Sequence, residues 1–87
     1  MIKEKESHLI HSFPKGENEE VRLEIRKYRG KFYLDWRIWF QSDENSDYFP
    51  TKKGLSISME YASQIKKGVE LLHKSVEKLK ISEEVVI

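Results

Sequence analysis

Residues 21–40 carry an alternation of apolar and polar side chains that constrains the fold more than any other feature of the sequence. A period of two is typical of a strand with one buried face, and the alternation runs both before and after the pair Arg29-Gly30. Glycine readily adopts a positive φ, so this pair suits a two-residue turn between two strands. The sequence therefore predicts a β-hairpin.

The short turn fixes which residues of the hairpin face one another across the two strands. With Tyr28 opposite Lys31, the apolar residues fall on one face as the pairs Ile25–Leu34, Leu23–Trp36 and Val21–Ile38. The other face receives the pairs Arg26–Tyr33, Glu24–Asp35 and Arg22–Arg37. Two of these pairs bring like charges together, so we expect diagonal ion pairs, Arg22 with Asp35 and Glu24 with Arg37, to offset the repulsion.

Shorter patterns outside the hairpin predict two more strands and a helix. Residues 8–13 and 48–57 have the apolar content and the flanking turn residues of strands, and Pro50 indicates an edge or a bend. Ser58 is expected to cap a helix whose apolar stripe recurs at spacings of three and four. The stripe consists of Ala62, Ile65, Val69, Leu72, Val76 and Leu79. It spans under three heptads, which favours packing on the sheet over a coiled coil.

These elements define an α+β fold, with four antiparallel strands followed by one C-terminal helix. Residues 8–79 form the predicted domain, residues 1–7 a solvated tail and residues 80–87 a C-terminal extension. The helix stripe is too narrow to cover the apolar face of the sheet, which carries at least ten large apolar groups. We therefore expect a second copy of the chain to cover the remainder, giving a homodimer with a shared core.

Positive charge is concentrated on the hairpin, although the whole chain has a net charge of only +1. Residues 21–40 hold six lysines and arginines against two acidic residues, and residues 48–54 add two lysines without an acidic residue. A phosphate backbone responds to such local clustering, and exposed aromatic rings can stack on unpaired bases. The polar side of the hairpin supplies both chemistries, which predicts a binding surface for single-stranded nucleic acid.

The same side chains fit other roles. They suit a solvated sheet face that packs under a loop or a second subunit, or a protein-interaction module for which nucleic acid is incidental. The segment Thr51-Lys52-Lys53-Gly54 lacks the glycine spacing and the following helix of a phosphate loop, so on its own it reads as an ordinary turn.

Catalytic, metal and membrane functions find little support in the residue pattern. The chain has no cysteine, and His8 and His11 lie in a predicted strand without a third ligand nearby. Glu24 and Asp35 imitate a catalytic carboxylate pair, but ion pairing with neighbouring arginines explains them better, and no nuclease site is found. We expect no enzyme activity, no cofactor and no metal. No apolar run approaches the roughly 18 residues of a membrane span, and the expected location is the cytoplasm or nucleoid.

Segments 28–40 and 50–58, with the helix after them, resemble the transcriptional coactivator family of human positive cofactor four. The shared pattern is an aromatic residue before Arg29-Gly30-Lys31, an alternating strand containing Asp35 and Arg37, and a proline, two lysines, a glycine, a hydrophobic residue and a serine ahead of the helix. The resemblance covers about residues 8–79. It implies a curved four-stranded sheet with a Whirly-like topology, an obligate homodimer, and binding of single-stranded DNA with the opposed strand polarity of a melted duplex.

The resemblance also implies roles for particular residues. Tyr28 and the Trp39/Phe40 pair would stack on bases. Phosphates would be met by Arg26, Arg29, Lys31, Arg37, Lys52 and Lys53, and Tyr33 shares their surface. Relatives in the family act in transcription and are linked to replication, recombination and repair.

The sequence departs from the coactivator at several points. Phe49 stands where the coactivator has a lysine, and Thr51 where it has a glycine, so the second basic segment is expected to bind less strongly. The coactivator's serine-rich regulatory arm has no counterpart before the first predicted strand. That difference favours a compact bacterial or viral member, with the host cytoplasm as the location of a viral one. Val85, Val86 and Ile87 could dock a partner or another dimer.

Overall fold

The chain forms a four-stranded antiparallel sheet followed by a helix in the computed structural model, which describes residues 6–43 and 46–80. The elements, in chain order, are β1 (Ser7–Pro14), β2 (Glu19–Tyr28), β3 (Lys31–Gln41), β4 (Tyr48–Ser58), a 3₁₀ turn (Met59–Tyr61) and α1 (Ala62–Lys78). The strands lie in sequence order, so β2 and β3 are central and β1 and β4 are the edges. The predicted α+β fold class is confirmed.

The β2–β3 hairpin has the register that the two-residue turn predicted. Its pairs run from Tyr28–Lys31 through Ile25–Leu34 to Val21–Ile38. Arg29 (φ 51°) and Gly30 (φ 76°) both take a positive φ. Two successive residues of this kind form a turn whose twist matches that of the paired strands, which is why the alternation continues in step on both sides.

Alternation along the strands sorts their side chains onto two faces. The apolar face consists of Val21, Leu23, Ile25, Phe32, Leu34, Trp36, Ile38, Phe40, Phe49, Leu55 and Ile57. The polar face consists of Glu20, Arg22, Glu24, Arg26, Tyr28, Lys31, Tyr33, Asp35, Arg37, Trp39, Tyr48 and Ser56. Each face runs continuously across the central strands, so the two surfaces can have separate uses.

A bulge interrupts the pairing of β3 with β4. Arg37 lies opposite Gly54 and Trp39 opposite Pro50, so the three β4 residues 51–53 correspond to a single β3 residue. Extra residues of this kind bend a strand and increase its local twist. Pro50 lies beside the bulge in an edge strand, in agreement with the prediction that it marks an edge or a bend.

Two side-chain features fix the geometry of the bulge. The Thr51 hydroxyl donates to the Ile38 carbonyl (2.7 Å) and accepts a hydrogen bond from the Lys53 N–H (3.1 Å). A Cβ at Gly54 would lie 2.6 Å from the Trp36 carbonyl oxygen. Only glycine therefore allows β4 to approach β3 this closely at the end of the bulge.

The helix begins with a 3₁₀ turn, and the predicted serine cap is wrong. Ser58 makes no side-chain capping hydrogen bond, because it remains the last residue of β4, paired with Tyr33. The 3₁₀ turn lies against β3, whereas α1 makes few contacts with the strands and only Ala62, Ile65 and Val76 are half-buried along it. The prediction that the helix packs on the sheet is therefore wrong for the single protomer.

The ends of the chain are described only in part. Ser7 belongs to β1, so this strand begins one residue before the predicted domain and shortens the predicted tail. Residues 1–5 and 81–87 lie outside the described residues. The suggested contact through Val85, Val86 and Ile87 falls within the second of these ranges.

Across residues 6–43 and 46–80, no apolar side chain is fully buried. Leu55 on the apolar face is 51% exposed, and Leu72 on the helix stripe is 62% exposed. The Cα radius of gyration is 15.3 Å, against about 12 Å for a compact chain of this length. The accessible surface is 7572 Å², against about 5,400 Å² for a compact monomer of this mass. The described part of the protomer has no closed core.

Candidate nucleic-acid interface

The centre of the polar face contains two buried carboxylates. Glu24 and Asp35 pair across β2 and β3 and are only 4% and 2% exposed. The Ser7 hydroxyl of β1 donates a hydrogen bond to Glu24 Oε2 (2.7 Å), while Oε1 has no protein partner. A buried charge is tolerated when it is paired or hydrogen-bonded, so these carboxylates organise the side chains around them.

Arg37 is held by the carboxylate beside it in the same strand. Its Nε and Nη2 atoms donate to the two Asp35 oxygens (3.2 and 3.0 Å), and Nη1 donates to the Thr51 carbonyl in the bulge of β4 (2.9 Å). The hydrogen bonds to Asp35 raise the pKa of Arg37 above its ordinary value, against the opposing effect of burial. The cation therefore persists until the pH rises through this raised pKa, well into the alkaline range.

The predicted diagonal ion pairs are wrong. Arg37 pairs with Asp35 and Arg22 pairs with Glu20, each two residues away in its own strand. Residues two apart in a strand project from the same face at a spacing similar to that of a diagonal neighbour. The two arrangements are close in energy, and the packing around each guanidinium selects between them.

At the end of the polar face away from the hairpin turn, one arginine covers two aromatic rings. The Arg22 guanidinium carbon lies 4.2 Å from the centroid of the Trp39 ring and 5.2 Å from that of Tyr48. Its Nε donates to Glu20 Oε1. The Trp39 indole N–H is buried and has no hydrogen-bond partner. Trp39 is therefore half-buried beneath a cation, not openly presented to solvent.

At the turn end, by contrast, the predicted site residues are open. Arg26, Arg29 and Lys31 are exposed, and Tyr28 is 56% exposed. Arg29 lies 5.2 Å from the Tyr28 ring centroid. An open cavity of about 600 Å³ adjoins Arg26 and Tyr28 and is lined by Arg26, Lys27, Tyr28, Tyr33, Asp35, Arg37 and Ser56. Cations, ring faces and a hydroxyl thus surround a space large enough for a nucleotide.

Two parts of the predicted site lie apart from this cluster. Lys52 and Lys53 are exposed in the β4 bulge, at the edge of the sheet. Phe40 pairs with Glu19 and Phe49, which places it on the apolar face, opposite to its neighbour Trp39. The structure therefore does not bring Trp39 and Phe40 together as a pair of stacking rings on one surface.

The site predicted from the sequence lacks Arg22 and Tyr48. The sequence predicts Arg22 only as an ion-pair partner and Tyr48 only as part of a strand. Their parity in β2 and β4 places both on the polar face, and the hairpin register already makes Arg22 a diagonal neighbour of Trp39. The position of Tyr48 beside them depends on the pairing of β3 with β4 across the bulge, which no local pattern predicts.

Within residues 6–43 and 46–80, no group of three or more histidine, aspartate or glutamate side chains is placed to hold a metal ion. The helix described by the structure is not long and apolar enough to span a membrane.

The fold and the polar face define a class of protein: a single antiparallel sheet with a basic, aromatic surface and a terminal helix. The family of the Transcriptional Coactivator p15 (PC4) matches residues 15–68 of the chain. The chain therefore belongs to the PC4 family, as the sequence resemblance implied. The family is one of DNA-binding transcriptional coactivators, not of enzymes.

Solved structures of bacterial and phage PC4 homologues are similar to the chain. One from Burkholderia pseudomallei is 31% identical with a TM-score of 0.68, and the match covers 78% of this chain and 98% of the homologue. The bacteriophage T5 homologue, described as implicated in recombination-dependent DNA replication, is 27% identical with a TM-score of 0.61. That match covers 87% of this chain and 98% of the phage protein. No curated protein matches the sequence.

Proposed function

We propose that the chain is a homodimeric protein that binds single-stranded DNA without sequence preference, in support of transcription, replication or recombination. The observation that carries this proposal is the turn end of the polar face, where the exposed ring of Tyr28 shares one end of the sheet with the exposed cations Arg26, Arg29 and Lys31, and Arg29 lies 5.2 Å from the ring centroid. Cations that track phosphates beside rings that stack on bases are the two elements of sequence-tolerant binding to single strands.

The apolar face supports the dimer. The protomer exposes about 2,000 Å² more surface than a compact monomer of its mass, which exceeds the roughly 800 Å² that each partner contributes to a standard interface and lies in the range of obligate dimers. The excess includes the apolar face and the stripe of α1, which no described element of the protomer covers. A second copy supplies surfaces of the same chemistry and covers both at once.

Single strands suit this surface better than duplex DNA. The rings can contribute stacking energy only to bases whose faces are exposed, and bases in a duplex are already stacked on one another. A two-fold dimer also presents two polar faces of opposed direction, which matches the two separated strands of a melted duplex.

The predicted residues differ in whether they would contact DNA in their present positions. Arg26, Tyr28, Arg29, Lys31 and Tyr33 adjoin the open cavity or the hairpin turn and would contact DNA directly. Lys52 and Lys53 would meet phosphates at the sheet edge. Arg37 and Trp39 would contribute after adjustment of their present partners, and Phe40 only where a strand wraps around the sheet.

Titration of the protein with a thymidine oligonucleotide and with a matched duplex tests the proposal, with tryptophan emission as the signal. We expect tighter binding to the single strand, and an affinity that falls with salt at a slope of about −0.7 per neutralised phosphate.

Tyr28→Ala should lower the affinity about tenfold, since one stack is worth about 1–3 kcal/mol. Tyr61→Ala is the matched control, because Tyr61 is equally exposed but lies in the 3₁₀ turn. Equal binding of both variants would contradict the site.

A protein-interaction module is the second candidate. It is favoured by one observation: Arg22 and Arg37 are already engaged by carboxylates of the same face. Under this alternative, the oligonucleotide titration would show weak binding that is insensitive to Tyr28→Ala.

The same samples incubated with magnesium and DNA test the expected absence of nuclease activity.

A further inference from the structure

We propose that the rings of Trp39 and Tyr48 form a nucleobase-binding subsite that Arg22 occupies in the free protein. This inference rests on the proposed function, since it assigns one base of a bound single strand to a place on the polar face. It adds Tyr48 to the site as a binding residue, Arg22 as a displaceable group and Glu20 as a positioning residue.

The Arg22 guanidinium that covers the rings of Trp39 and Tyr48 has a shape similar to that of a base. A guanidinium is planar and stacks on aromatic faces much as a base does. The Arg22 guanidinium carbon lies 4.2 Å from the Trp39 centroid and 5.2 Å from the Tyr48 centroid, so a single flat group contacts both rings. A base in the same position would contact the same two ring surfaces.

An unsatisfied donor lies at the edge of the same ring. The indole N–H of Trp39 is buried and has no protein partner. Arg22 has no acceptor to offer it, because a guanidinium carries N–H donors only. The N–H points outward in the plane of the indole, so its partner would be a ring nitrogen or carbonyl oxygen of the next base along the strand, at the ring edge, and not of the base stacked on the ring face.

Arg22 is released more readily than Arg37. Arg22 is held by Glu20 through an ion pair in which both side chains are 22% exposed, whereas the carboxylate that holds Arg37 is only 2% exposed. Water competes more strongly for the partners of the more exposed pair. Arg22 can therefore leave the rings and turn to a phosphate of the same strand, so its displacement exchanges a carboxylate partner for a phosphate one. Glu20 sets how readily this exchange occurs.

The direct test follows the Arg22 side-chain Nε–H signal by NMR in the protein labelled with ¹⁵N. Ring currents of Trp39 should shift this signal in the free protein, and Arg22→Lys identifies it by its loss. We expect saturation with an adenine oligonucleotide to remove the ring-current shift. A strand of the same length built from abasic nucleotides carries the phosphates alone and should leave the shift in place.

The outcomes separate this inference from the proposed function. An adenine strand that binds while the Arg22 signal stays at its free position overturns the subsite and leaves the proposed function intact. An abasic strand that moves the signal equally also overturns it, because a phosphate would then be the ligand. Failure of every strand to bind overturns both.

The variants Glu20→Gln and Glu19→Gln form a matched pair. Both remove one negative charge and one ion pair, but Glu19 pairs with Lys15 and lies on the apolar side, opposite Phe40. We expect the affinity of Glu20→Gln for the adenine strand to be about two- to fivefold higher than that of Glu19→Gln. This factor corresponds to the free energy of a partly exposed ion pair that no longer has to be broken. The abasic strand should show no such difference. Equal affinities of the two variants for the adenine strand would contradict the role of Glu20.

Discussion

The two faces of the sheet reverse the usual pattern of burial, in which apolar side chains are buried and charged ones are exposed. The most buried side chains that the structure describes are the carboxylates Glu24 and Asp35 of the polar face. The apolar face, which an isolated domain would bury, leaves Leu55 and Phe49 half exposed. The polar face is thus organised within the protomer by ion pairs and hydrogen bonds, whereas the apolar face remains exposed.

This contrast separates stability from binding along the same strands. Along β3, the even-numbered residues belong to the proposed interface between copies, and the odd-numbered residues belong to the proposed DNA surface. A substitution on one face can therefore be compared with its immediate neighbour on the other, at almost the same position in the chain. The predictions below use such neighbours as controls where the chain offers them.

The largest effect is expected for Leu55→Asp on the apolar face. In an isolated protomer this change would cost little, because Leu55 is already 51% exposed. In the proposed dimer it would bury an unpaired carboxylate and abolish assembly. Sedimentation equilibrium should show loss of the dimer, and the thermal midpoint should no longer rise with protein concentration.

Ser63→Asp is the control for Leu55→Asp. It adds the same charge at an exposed position of α1 outside the apolar stripe, so the mass in solution should be unchanged. A variant at Leu55 that keeps the mass of the parent would remove the apolar face from the dimer interface.

The next effect is expected for Asp35→Ala at the centre of the polar face. Arg37 would lose both hydrogen bonds to the carboxylate and would remain only 18% exposed, without its partner. Removing one member of a buried ion pair costs about 3 kcal/mol when the remaining charge keeps some access to water. Urea unfolding measures this loss, and a cost below that of Glu20→Gln would show that the buried pair does not organise the face.

Gly54→Ala should destabilise the fold by a smaller amount. Its Cβ would meet backbone atoms of β3 at 2.6–2.7 Å, and β4 would have to move to relieve the contact. Overpacking of this kind costs about 2–3 kcal/mol. Gly68→Ala is the control, since nothing lies within 4 Å of its added Cβ in α1. That change should stabilise the helix by about 0.5–1 kcal/mol. Equal midpoints of the two variants in urea would contradict the close approach at Gly54.

The smallest effect is expected for Lys31→Gln at the hairpin turn. Lys31 is exposed, so its loss should leave stability unchanged while removing one phosphate contact. The salt slope of single-stranded DNA binding should then become shallower by about 0.7. Lys78→Gln, at the end of α1, removes the same charge away from the polar face and should leave the slope as it is.

Local rules were enough for the hairpin and for the chemistry of its faces. The turn at Arg29-Gly30 determined the register, and alternation then placed the paired strand residues between 21 and 40 on the faces that the structure shows. The mismatch between one helix and a wide apolar face was also visible in the sequence, because it depends only on counting apolar groups against a narrow stripe. Membership of the PC4 family followed from motifs in these same segments.

Other features depended on contacts between distant parts of the chain, and only the tertiary structure decided them. The bulge at residues 51–53 and the position of Tyr48 beside Arg22 arise from how β4 meets β3. The path of α1, which makes few contacts with the strands, follows a 3₁₀ turn that lies against β3. Several partners of similar energy compete for each guanidinium on the polar face. A sequence pattern specifies which groups are available, but the choice among near-equal partners is made by the packing that brings them within reach.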